Sequence, residues 1–113
     1  MIRSEFTGML PAAISKFEEF LDLAKAQDLN INIVKGFDGT QGSDSYFCWG
    51  CAIQVVCLDL VSLRTLAESI GIIVYDENIN VVNLAYTNNL TIDDFKTYRV
   101  NGQLELTEEK KIV

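Results

Sequence analysis

The residues best equipped for chemistry are three cysteines, Cys48, Cys51 and Cys57, of which the first two form a Cys-Trp-Gly-Cys pair. A Cys-x-x-Cys pair can run thiol–disulfide exchange when a helix N-terminus stabilises the attacking thiolate. Here the residues that follow, AIQVVC, favour a strand. No proline stands downstream to face the pair, and aromatic residues surround it. The expectation is therefore three small core thiols, with redox chemistry at Cys48 and Cys51 as the alternative. A zinc site would need a fourth ligand, and only a carboxylate such as Asp44 or Asp59 could supply it.

The chain has no histidine. That removes Ser-His-Asp and Cys-His catalysis, histidine metal sites and the usual general base near neutral pH. Carboxylates occur as Glu18, Glu19 and Asp22, as Asp76 and Glu77, as Asp93 and Asp94, and as Glu108 and Glu109. Acid–base catalysis needs two carboxyls at a set distance in unequal environments. These groups fall in turns and on a polar helix face, where they stay solvated. No enzyme, cofactor or resident metal is expected. Gly36, Gly39 and Gly42 are evenly spaced, but no Lys-Ser or Lys-Thr follows, so they make no phosphate loop. Asp38 and Asp44 lack the alternating oxygens and closing glutamate of a calcium loop.

Sixteen acidic against nine basic residues give a net charge of −7. A phosphate backbone needs a basic footprint, so direct nucleic-acid binding is not expected. A protein partner with a basic surface is the natural complement. Negative charge spread over Glu18, Glu19, Asp22, Asp76, Glu77, Asp93 and Asp94 could imitate a nucleic acid and occupy a basic cleft. Trp49, beside Tyr46 and Phe47, is the candidate anchor for such an interface. These readings point to a small acidic interaction module, of an inhibitor, immunity or anti-defence kind. A structural subunit of a larger assembly is the third reading, and a homodimer through an exposed sheet edge is a further expectation. The opening residues MIRSEFTGML lack the apolar stretch of a secretory leader, and no run is long enough to span a bilayer. A cytoplasmic location is expected, away from membranes.

The elements that must position these groups follow from periodicity. Residues 4–28 predict a helix, with Leu10, Ile14, Phe17, Leu21 and Ala24 on one face and Ala13 and Phe20 flanking it. Pro11 belongs in a first turn, so the true start is expected after a short lead-in. Residues 29–37 alternate apolar and polar side chains as a half-buried strand does. A glycine-rich hairpin-type loop follows. Residues 45–60, SYFCWGCAIQVVCLDL, are the most apolar run, and 46–58 predict a long central strand with Gly50 as a bulge. Residues 61–70 predict a second helix, capped by Asp59 or Ser62 and ended at Gly71. Strands over 72–75 and 79–86 joined at 76–78 come next, then a short helix capped by Thr91. A closing hairpin over 97–106 turns at Asn101-Gly102, before a charged tail. The sum is one α+β domain over residues 1–113: a mainly antiparallel sheet with two helices on one face, ordered α-β-β-α-β-β-β-β.

Overall fold

Pro11 occupies the first position of a sixteen-residue helix, where its missing N–H costs no hydrogen bond. In the computed structural model, which describes residues 4–38, 40, 45–87, 91, 93 and 94, this helix is α1 (Pro11–Ala26). A 3₁₀ turn over Ser4–Phe6 precedes it, so the lead-in expected before Pro11 is present. Strand β1 (Asn32–Lys35) follows, then β2 (Ala52–Val56), helix α2 (Leu60–Ser69), β3 (Ile73–Asn78) and β4 (Val81–Ala85). The strands form one antiparallel sheet in the order β1-β2-β4-β3. This is the α+β architecture the sequence predicts, through the order α-β-β-α-β-β. The closing hairpin over 97–106 and the tail lie outside the described residues.

The core lies between the sheet and the helices. Ile53, Val55, Val82 and Leu84 point from the two central strands and are fully buried. Phe17 and Phe20 of α1 and Leu63 and Ala67 of α2 meet them in one cluster. The buried stripe of α1 is Ala13, Phe17, Phe20 and Ala24, with Leu10, Ile14 and Leu21 half-buried beside it. The expected face is thus rotated by part of a turn, because the two phenylalanines fill the space over the strands. Burying large apolar side chains such as these supplies roughly 1.5–3 kcal/mol each.

Both α-helices and the turn over residues 46–50 end in the same way, and each then hands over to a strand. At the end of α1, Leu29 donates its N–H to Ala24 O and Asp28 to Lys25 O, with Asp28 at φ 56°. At the end of α2, Ile72 donates to Ala67 O and Gly71 to Glu68 O. Between them, Cys51 donates to Tyr46 O and Gly50 to Phe47 O, with Gly50 at φ 73°. Each is a Schellman closure, in which one left-handed residue satisfies the last carbonyls and aims the next residue inward. Leu29, Cys51 and Ile72 are those inward residues, and all three belong to or pack on the core.

This motif corrects the long central strand. Residues 46–50 are turns and only Ala52–Val56 is strand. Ser45 Oγ accepts the Phe47 N–H at 3.2 Å and starts the turn, while Gly50 ends it as a left-handed stop and not as a bulge. β2 is nonetheless interior, as expected, between β1 and β4. The β3–β4 turn is also displaced, from 76–78 to Ile79 and Asn80, with Asn80 at φ 58°. Asp76 at φ 52° sits where the register between β3 and β4 shifts, so it forms a bulge inside the strand.

Candidate functional site

Two surfaces gather unusual side chains. The first is the sheet face turned away from the helices. Ala52 pairs with Ala85 across β2 and β4, and their short side chains let the Phe47 ring lie against the sheet. One pair further along, Gln54 stands opposite Asn83, and Tyr75 of β3 stands beside Asn83. The Gln54 amide donates to Asn83 Oδ1 at 3.2 Å. Tyr46 and Tyr75 meet edge to face with ring centroids 5.6 Å apart. Lys35 Nζ lies 4.7 Å from the Phe47 ring centre and 3.1 Å from Asp38 Oδ2. Between them is a hollow of about 380 Å³, lined also by Ser45 and Asp76. The Tyr75 hydroxyl is buried with no hydrogen-bond partner among the described residues, and burial moves its pKa upward, so it stays a neutral phenol.

The second surface is the end of the molecule where β2 runs into α2. Cys57 donates its N–H to Asn80 O at 2.8 Å, which ties the exit of β2 to the β3–β4 turn. Leu58, Val61 and Ile79 flank that tie and are 85%, 78% and 84% exposed. Single exposed aliphatics are commonplace, but three at one end are not. Beside them lies a hollow of about 670 Å³ between residues 27–32 and the stretch from Val56 to Ser62. Asp28 and Asp59 line it. The Asp59 carboxylate accepts the Ser62 hydroxyl at 2.7 Å and the Ser62 N–H at 3.1 Å, capping α2. Those bonds hold its pKa below the usual carboxylate value, so its charge is kept. Comparison with known proteins finds no matching family model, curated sequence or solved structure. The geometry must speak alone.

The residues singled out by sequence are dispersed. Glu18, Glu19 and Asp22 are on α1 in the helix layer, where Glu19 pairs with Lys16 at 3.0 Å. Asp76 lines the hollow on the opposite face of the sheet. Glu77, one residue on, reaches Arg64 of α2 at 2.8 Å. Asp93 and Asp94 follow Thr91, whose hydroxyl accepts the Asp94 N–H while the Asp94 carboxylate accepts the Thr91 N–H. This is a reciprocal capping box, at the cap expected of Thr91. Trp49 is 8% exposed and belongs to the core cluster.

The cysteines are free thiols. Cys51 is fully buried at the entrance to a strand, and burial pushes its pKa up to about 12. At neutral pH it is a thiol and not a nucleophile. Cys57 is also buried, and Cys48 is half-buried. Among the described residues no three histidine, cysteine or acidic side chains group as a metal site would need. No helix among them is long and apolar enough to cross a membrane. Sequence reasoning missed Leu58, Val61 and Ile79, having assigned Leu58 and Ile79 to strand faces. It missed Gln54, Asn83 and Tyr75 as a group because their union depends on strand register.

Proposed function

We propose that this protein is an acidic protein-binding module that docks a partner through the end bearing Leu58, Val61 and Ile79. The observation that carries the reading is the near-complete exposure of those three side chains beside a hollow lined by Asp28 and Asp59. Leaving aliphatic surface in water is unfavourable, and covering it is the ordinary source of association free energy. The flanking carboxylates and the net charge of −7 favour a partner with apolar anchors ringed by Lys and Arg. A nucleic-acid-handling protein offers such a surface, so inhibition of one is the specific form of the proposal.

Imitation of a continuous phosphate track draws less support, because the sheet separates Glu18, Glu19 and Asp22 from Asp76. Pairing of two copies through a sheet edge is disfavoured as well. Both outer strands, β1 and β3, carry register shifts that disturb the regular row of N–H and C=O groups. The thiol redox alternative at Cys48 and Cys51 draws no support from a fully buried Cys51.

The test is capture of partners from nuclease-treated host extract on immobilised protein, eluted with rising salt. A basic protein held by the native chain and lost by the triple variant Leu58→Ser, Val61→Ser, Ile79→Ser supports the proposal. Retention by both proteins, or release indifferent to salt, contradicts it.

A further inference from the structure

The hollow on the helix-free face of the sheet has no part in that docking surface, yet it has the make-up of a ligand site. Its volume, about 380 Å³, is at the small end of ligand pockets. A pocket of this kind presents a few convergent polar groups among aromatic walls, and here the walls are Tyr46, Phe47 and Tyr75. The floor is the carboxamide pair. One hydrogen bond joins Gln54 to Asn83, which leaves the carbonyl oxygen of Gln54 and the amide nitrogen of Asn83 for another group. Exchanging O and N in both side chains leaves the same offer, one acceptor and one donor side by side. Tyr75 contributes its ring to the wall, while its hydroxyl is buried, closed to solvent and out of a ligand's reach.

Charge narrows the class. Lys35 is engaged by Asp38 and by the Phe47 ring, and Asp76 stands at the rim. Among the described residues, none lining the hollow offers an unengaged positive charge for an anion. We propose that this hollow binds a neutral, planar heteroaromatic molecule with a donor and an acceptor on adjacent edge positions, the chemistry of a nucleobase or free nucleoside. The ring edge pairs with Gln54 and Asn83, and the Tyr46 ring packs on the face. A nucleotide strand is disfavoured, since its phosphates would meet Asp76 and a net charge of −7.

The experiment titrates adenosine, guanosine, cytidine and uridine, each to about 5 mM, into the isotope-labelled full chain. The side-chain amide signals of Gln54 and Asn83 report directly on the site. At least one nucleoside is expected to move them saturably, and its 5′-monophosphate to bind no more tightly. Tyr75→Phe should leave binding unchanged and thermal stability unchanged or raised, because it removes only an unpaired hydroxyl out of the ligand's reach. Gln54→Leu should abolish the response. Amide signals unmoved by all four nucleosides, a tighter monophosphate, or undiminished binding by a folded Gln54→Leu each overturn the proposal.

Discussion

Asp28 adopts a left-handed conformation at φ 56°, the position in a Schellman closure that glycine fills most easily. Its Cβ makes that conformation costly, and Asp28→Gly should stabilise the fold by about 0.5–1 kcal/mol, read by chemical denaturation. Asp59 works in the opposite sense, through its charge. Its folded pKa is depressed because the carboxylate accepts two bonds from Ser62. The stabilisation is therefore fully present above the ordinary carboxylate pKa and is lost as pH falls through the depressed folded value. Asp59→Ala should melt below the native protein at pH 7, and the difference should shrink as pH falls through the depressed folded value. At Cys51 the thiol is raised and buried, so labelling by an aromatic disulfide reagent at neutral pH should wait for unfolding. Modification of Cys51 in the folded protein within the mixing time would contradict its placement in the core.

At the scale of elements, the fold rests on close approaches that glycine alone permits. A side chain at Gly50 would come within 2.9 Å of Gly8 O while the backbone stays at φ 73°. Gly50→Ala should cost about 2 kcal/mol, combining left-handed strain with overpacking. At Gly36 a Cβ would collide with the Glu5 carbonyl, so Gly36→Ala should detach β1 from the Ser4–Phe6 turn. Its expected cost is about 2–3 kcal/mol in the same denaturation measurement. Much of the element plan was readable beforehand. Leu29, Ile31 and Ile33 alternate with exposed Asn30 and Asn32 as expected, and α2 runs from its Asp59 cap to Gly71. The turn at 46–50 was not readable, because Tyr46, Phe47, Cys48 and Trp49 all have the composition of a strand. The Ser45 hydroxyl that starts the turn and the left-handed Gly50 that ends it make them a turn. The β3–β4 turn moved for a similar reason: Asp76 looks like a turn residue, and a bulge uses the same left-handed backbone.

At the scale of the whole molecule, one layer of helices leaves two surfaces that composition could not reveal. Acidity and the lack of histidine could be read from the chain, but where charge and exposed apolar surface meet could not. The end surface depends on Cys57 bonding to Asn80, a contact between residues twenty-three positions apart. The sheet face depends on the register that sets Gln54 opposite Asn83. Because the two surfaces share no residue, substitutions at one should leave the other intact. Tyr75→Phe should still capture the protein partner, and the triple serine variant should still answer nucleosides.

The most direct measurement of the docking account is partner capture by three proteins in parallel: the native chain, the Leu58→Ser, Val61→Ser, Ile79→Ser variant, and Tyr75→Phe. Thermal unfolding of each checks that all are folded. The account predicts a basic protein retained by the native chain and by Tyr75→Phe, released by salt, and missing from the triple variant. The same protein held equally by a folded triple variant would contradict it.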